Sequence, residues 1–169
     1  MIQAVWEYRT GIGTDIHRLV EGRKLKLGGV EIPFELGLLG HSDGDVVLHA
    51  VADALLGAAG LGDIGMMFAD TDARWKDADS RDLLMAVRQR VAQQGWDVVN
   101  ADIVVHAEQP RLGAYKGQMK RVIAGLLEVD FANVNVKAKT NEGLDAIGQG
   151  LAIAATAVVL LRRGLKKTL

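Results

Sequence analysis

Asp15 and His17 are two residues apart in a segment that reads as extended chain, and side chains two apart on a strand share a face. A carboxylate oxygen and an imidazole nitrogen can therefore be offered to one point. A salt-bridged surface pair would look the same over so short a stretch. His49 bears on the choice. It follows the polar run His41-Ser42-Asp43-Gly44-Asp45, on a segment with helix character. Two histidines and a carboxylate would hold a divalent metal and leave a fourth tetrahedral position open for substrate, as catalytic zinc sites do. The competing reading of His49 is a core histidine on a half-buried helix face. Asp53, one helical turn later, is placed to accept the other ring N–H of a ligating His49, or to be a solvated acid. His106, between Val105 and Ala107, reads as a core histidine and stays outside the metal set.

Two further clusters carry polar groups. Asp63-Ile64-Gly65 follows a glycine-rich stretch and Phe68-Ala69-Asp70-Thr71-Asp72 comes soon after, a loop that could present amides and carboxylates to a polar ligand or simply face water. Lys139-Thr140-Asn141-Glu142 ends an expected strand, where sites form in alternating strand and helix folds and where a capped turn would use the same residues. The HSDGD run lacks the residue order and distant glutamate of a calcium loop. The glycines near Ile16 fail the dinucleotide fingerprint, and nothing matches a P-loop.

The elements that must position these groups follow from local pattern. Glu7 to His17 predicts a strand interrupted at Gly11 and Gly13, where another backbone or a ligand can come close. Lys24 to Ile32 alternates around Gly28-Gly29 and predicts a β-hairpin. Val46 to Leu56 predicts a helix capped by Asp45 and stopping near Gly57 to Gly62. Ser80 is expected to cap a helix running to about Gln94, with Leu83, Leu84, Val87 and Val91 on one stripe. Val98 to Ala107 and Asn133 to Lys139 predict strands around a helix from about Lys116 to Leu127. Leu151 to Leu161 fits either a helix or a strand buried on both faces. Pro33 and Pro110 fall at element ends, and no repeat or linker divides the chain.

The bulk composition narrows the function classes. A chain of 169 residues, 49% hydrophobic and 24% charged, fits one globular domain over 1–169. A formal net charge of -1 gives no pull toward nucleic acid or an anionic membrane. With no cysteine, any metal must sit on histidine and carboxylate, and no thiol nucleophile exists. The start lacks signal-peptide features and no uncharged apolar run reaches about 18 residues, so a cytoplasmic location is expected.

With those residues in hand, the chain resembles a known family. GTDIH, HSDGDVVLHAVADALLGAAGLGDIG, FADTD, DSRDLL and VNVKAKTNEGL are similar in order and spacing to the 2-C-methyl-D-erythritol 2,4-cyclodiphosphate synthase family of the non-mevalonate isoprenoid pathway, over about residues 9 to 162. The resemblance implies a lyase that converts 4-diphosphocytidyl-2-C-methyl-D-erythritol 2-phosphate to the 2,4-cyclodiphosphate. The substrate's 2-phosphate attacks its β phosphorus and expels CMP. It implies zinc on Asp15, His17 and His49, and Glu142 helping to hold magnesium or manganese between the α and β phosphates. His41 and Thr140 become transition-state stabilisers. Ser42, Asp63, Ile64, Gly65 and the Phe68, Ala69, Asp70, Thr71, Asp72 loop bind substrate together with Asp15, Ile16 and His17. Ala107, Glu108, Gln109, Pro110, Arg111, Leu112 and Gly113 take the cytidine diphosphate end with Lys139, and Thr140, Asn141, Glu142, Ala146 and Gln149 are further substrate-binding positions.

The implied fold is α+β, a βαβαββ-type mixed four-stranded sheet with helices on one face and a small hairpin. Three such sheets pack around the axis of a homotrimer, with active sites between subunits and Leu151 to Leu161 a strand. The chain departs from the family pattern at Ala146 and Gln149, where many members carry an aromatic residue and an arginine. Gln149 lacks a fixed positive charge, so poor binding of an isoprenyl diphosphate in the central cavity is expected. Residues 1–8 extend past the usual start. Two other readings fit the same residues. One is a metal-dependent phosphodiesterase using metal-bound water, and the other is a trimeric binding module whose histidines only stabilise the fold.

Overall fold

A computed structural model describes residues 5–69 and 71–165 of the chain. In order they form β1 (Val5–Val20), β2 (Leu25–Leu27), β3 (Val30–Ile32), β4 (Gly37–Leu38), α1 (Val46–Ala59), α2 (Ile64–Met67), α3 (Ser80–Gln93), β5 (Asp97–His106), α4 (Lys116–Leu127), β6 (Val134–Lys139), α5 (Asp145–Gly148) and β7 (Ala152–Leu165). The main sheet runs β4-β1-β7-β5-β6, and β2 with β3 makes the separate hairpin. Only β5 and β6 are parallel, joined through α4, so the sheet is mixed. It has five strands where four were expected. The fifth is a stub in which Gly37 and Leu38 pair with Val20 and Leu19 at the edge, and two residues are too few to show any alternation in sequence.

β1 is continuous through its glycines. A Cβ on Gly11 would stand 2.0 Å from the Ala54 carbonyl oxygen and one on Gly13 2.0 Å from that of Ala50, so the strand lies directly against the backbone of α1. Every second residue of the sheet turns to the same side. Ile153, Ala155, Ala157, Val159 and Leu161 of β7, with Ala101, Ile103 and Val105 of β5, are buried there under the helices. The opposite face carries Tyr8, Ile12, Ile16 and Val158, all exposed. It also carries Asp102, which accepts from Asn135 at 2.9 Å and from Lys137 at 2.5 Å. β7 is a strand, and within one chain its burial is one-sided. His106 is only half-buried and lies on the open face beside Ala154, so it is not a core histidine.

One buried carboxylate joins the hairpin to α1. Asp45 accepts from Val47 and Leu48 at the start of the helix, each at 3.1 Å, and from Gly28 and Gly29 in the hairpin turn at 2.9 and 2.7 Å. Both turn glycines have positive φ, 60° and 75°, as a two-residue hairpin requires. α1 passes through Gly57 and ends at Gly60 with φ 71°. In α3 the expected cap is displaced by one residue: Asp79 accepts from the Arg81 amide, and Ser80 is the first helical residue. Leu83, Leu84, Val87 and Val91 form its buried stripe. Among the described residues no helix is long and apolar enough to cross a membrane.

Candidate metal centre and substrate pocket

β1 and α1 bring the three candidate ligands together. Asp15 Oδ2 is 3.0 Å from His17 Nε2 and 2.9 Å from His49 Nδ1. One ligand atom from each residue lies within 4.8 Å of the others. His17 Nδ1 is 2.5 Å from the Leu39 carbonyl oxygen, which can only accept, so Nδ1 carries a proton; Nε2 donates to Asp15 when the ring is protonated and offers its lone pair to a metal when it is neutral. Two imidazole nitrogens and a carboxylate oxygen converging on one point suit a divalent metal ion.

The electrostatics agree. Burial works to raise the Asp15 carboxyl, but hydrogen bonds to His17 and His49 outweigh it and hold the group well below the usual carboxylate range. The hydrogen bond to Asp15 raises His17 above its ordinary value against the opposing effect of burial. A protonated His17 cannot ligate, and its raised value moves protonation to higher pH than for a free imidazole. Metal affinity is therefore expected to fall by about tenfold per pH unit as pH drops below the raised His17 value. Competition with a chelator at several pH values measures this, and a pH-independent affinity would count against His17 as a ligand.

Asp53 does not accept from His49. Its Oδ1 takes the Ile64 amide at 2.7 Å, fixing the start of α2, and burial pushes its carboxyl up. The other ring nitrogen of His49 instead meets Ser80 Oγ at 2.9 Å and Ser42 Oγ at 3.1 Å. Helical spacing put Asp53 on the right face, but an adjacent unpaired amide had the stronger claim.

The ligands open into a cavity of about 220 Å³ that they share with His41, Ser42 and Asp53 and whose apolar lining includes Ile64, Phe68, Trp75 and Leu83. His41 Nε2 lies 3.4 Å from the Asp72 carbonyl oxygen, tying the HSDGD turn to the loop after α2. Asp63 caps α2 by accepting from Met66 at 2.8 Å. Asp72 is bonded to Arg74 at 2.6 Å, while Asp70 lies outside the described residues. Trp75 was not anticipated. It packs edge-on to Phe68 with centroids 4.9 Å apart, and a lone tryptophan in a polar loop was the signal available. Ile16 turns its side chain to the open face, 58% exposed, so only its backbone is near the ligands.

The remaining candidates gather elsewhere. Ala107, Pro110, Arg111, Leu112 and Gly113 line a second cavity, of about 270 Å³, with Lys139 and Thr140. Glu108 accepts the Asn141 amide at 3.2 Å, and Thr140 Oγ1 donates to Glu142 Oε1 at 2.8 Å. Neither Thr140 nor Glu142 lines the first cavity. Ala146 lies in α5, with Gln149 just after it.

Comparison with known proteins fits this arrangement. Residues 8–162 match the YgbB family. The chain is 60% identical to the 2-C-methyl-D-erythritol 2,4-cyclodiphosphate synthase of Neisseria gonorrhoeae, over 92% of this chain and 97% of that one. A solved structure of a 2C-methyl-D-erythritol-2,4-cyclodiphosphate synthase in a CDP-bound form superposes with TM-score 0.84 at 41% identity, covering 90% of this chain and 99% of the other. The bifunctional IspDF of Campylobacter jejuni superposes with TM-score 0.91 at 43% identity, covering 94% of this chain but 43% of that longer one.

Proposed function

The chain belongs to the YgbB family, and from that membership we infer that it is a phosphorus-oxygen lyase of the non-mevalonate isoprenoid pathway. It converts 4-diphosphocytidyl-2-C-methyl-D-erythritol 2-phosphate to 2-C-methyl-D-erythritol 2,4-cyclodiphosphate and CMP. The observation that carries the reading is the Asp15, His17 and His49 cluster opening into a cavity shared with His41 and Ser42.

The substrate supplies its own nucleophile. A 2-phosphate oxygen forms a bond to the β phosphorus, the bond from that phosphorus to the bridging oxygen breaks, and CMP leaves with the electron pair. The protein must therefore align phosphates, neutralise charge and exclude water. Asp15, His17 and His49 would hold zinc, which supplies Lewis-acid fixation of a substrate phosphate oxygen. Glu142 would help to hold magnesium or manganese, which neutralises charge between the α and β phosphates. His41 and Thr140 stand beside the reacting phosphates and stabilise the transition state. Ser42, Asp63, Ile64, Gly65 and the loop from Phe68 to Asp72 hold the methylerythritol phosphate part. Phe68 and Trp75 keep that end of the cavity apolar, which favours attack by phosphate over attack by water. The second cavity, from Ala107 to Gly113 with Lys139, takes the cytidine diphosphate end. A related structure was obtained with CDP bound, which supports that assignment.

The working form is a homotrimer of single-domain subunits, cytoplasmic in location. Two features support it. The open face of the sheet carries Tyr8, Ile12, Ile16 and Val158 with no covering element among the described residues, and Thr140 with Glu142 stands apart from the metal cluster of its own chain, as sites built between neighbours require. Gln149 and Ala146 offer no cation to an isoprenyl diphosphate on the trimer axis, so such ligands bind weakly there.

Phosphorus NMR of the reaction tests the function. The expected products are CMP and a species with two mutually coupled diphosphate signals and no monophosphate on the polyol. A linear polyol phosphate would identify a phosphodiesterase using activated water.

A further inference from the structure

Ser80 opens α3 without capping it. Asp79 already accepts the Arg81 amide at 2.9 Å, and the Ser80 side chain turns inward at a residue only 1% exposed. Its Oγ lies 2.5 Å from Asp43 Oδ1 and 2.9 Å from His49 Nε2. The other Asp43 oxygen is 3.2 Å from Lys26 Nζ and accepts the Ser80 amide at 3.3 Å. A carboxylate only accepts, so the Ser80 O–H is committed to Asp43 and the lone pairs of its oxygen face the imidazole. His49 Nε2 must then be the donor. That makes Nδ1, 2.9 Å from Asp15 Oδ2, the nitrogen left to face a metal; it donates to Asp15 when the ring carries both protons and offers its lone pair when the ring is neutral. Ser42 Oγ, 3.1 Å from Nε2 and accepting from the Gly44 amide at 3.3 Å, is a second and weaker acceptor.

We propose that Ser80 is a positioning residue for the metal centre: its hydroxyl, oriented by Asp43, fixes the Nε2–H tautomer and the ring rotation of His49 so that Nδ1 faces the metal. The inference rests on the metal-binding reading of Asp15, His17 and His49. It gives Ser80 a purpose that helix capping does not, and it connects the hairpin through Lys26, the HSDGD turn through Asp43 and α3 through Ser80 to a single ligand. A ligating imidazole whose far N–H is held by an oriented acceptor is more basic and loses less rotational freedom on binding.

The test is a zinc titration of the metal-free protein against a chromophoric chelator, with thermal unfolding of the same metal-free samples. The parent binding one zinc per chain establishes the centre itself, and its failure to bind would dispose of the underlying reading. Ser80→Ala is expected to weaken zinc about 10- to 100-fold while the metal-free unfolding midpoint stays within about 3 °C of the parent. Asp43→Asn, whose amide oxygen still accepts from Ser80, is expected to keep an affinity closer to the parent. An affinity for Ser80→Ala within about twofold of the parent, or one that falls only alongside an equal loss of metal-free stability, overturns the proposal. Should Ser80→Ala fail to fold, NMR of the zinc-loaded parent decides. A slowly exchanging, hydrogen-bonded His49 Nε2–H supports it, and one exchanging freely with water overturns it.

Discussion

His49→Ala is expected to lower turnover by roughly 10³-fold or more, with loss of the bound metal and retention of the folded protein. The size follows from what the residue does. Asp15 and His17 both project from β1, and His49 is the one ligand of the cluster contributed by α1, so its removal leaves two donors on a single strand and no closed site. The fold has less at stake. The side chain is 13% exposed and sits beside the cavity, so water can reach the Ser80 and Ser42 hydroxyls it leaves, at a cost of about 1–2 kcal/mol. Turnover, metal content and elution volume measured on one preparation check the three parts together. A variant that keeps its turnover would remove the metal centre from the mechanism. It would leave the histidines a part in the fold alone.

Gly13→Ala is expected to cost stability and activity together. The new Cβ would stand 2.0 Å from the Ala50 carbonyl oxygen, 2.6 Å from the Ala54 amide nitrogen and 2.9 Å from Asp53 Cβ, none of which is the flexible end of a side chain. Strand and helix must move apart. Overpacking of this kind costs about 3 kcal/mol or more, or roughly 10 °C in unfolding midpoint for a chain of this length. The same movement separates Asp15 and His17 on β1 from His49 on α1, so zinc affinity falls even where the variant folds. Gly113→Ala, where an added Cβ meets nothing within 4 Å, serves as the control in the unfolding measurement. Equal midpoints for the two variants would show that the close approach of β1 to α1 is not what holds the ligands in place.

The legible parts of the fold were those in which a local rule and the tertiary structure ask for the same thing. Gly28-Gly29 supplied the only backbone a two-residue turn accepts, Asp45 supplied a cap, and the stripe of α3 supplied a buried face. The Asp15 and His17 pair was legible because strand geometry alone puts both on one side. What escaped depended on competition between partners distant in sequence. Ser80 looked like a cap because serine commonly is one, but Asp79 took that position and freed the hydroxyl for His49. Asp53 had the spacing of a partner for His49, yet the Ile64 amide lay closer. β4 forms because the chain returning from the hairpin passes the end of β1, a fact of topology that two residues cannot encode. β7 was ambiguous on composition because its alanines suit a helix. Ala155 and Ala157 are buried on the helix-covered face, while Ala154 lies on the open face beside His106.

The measurement closest to the central claim is CMP release followed while zinc is returned to chelator-stripped protein, with magnesium present throughout. Activity is expected to rise from near zero and to saturate at one zinc per chain, with the cyclic diphosphate formed in step with CMP. Full CMP release from protein verified to be free of zinc would contradict the assignment of Asp15, His17 and His49 as the centre on which catalysis depends.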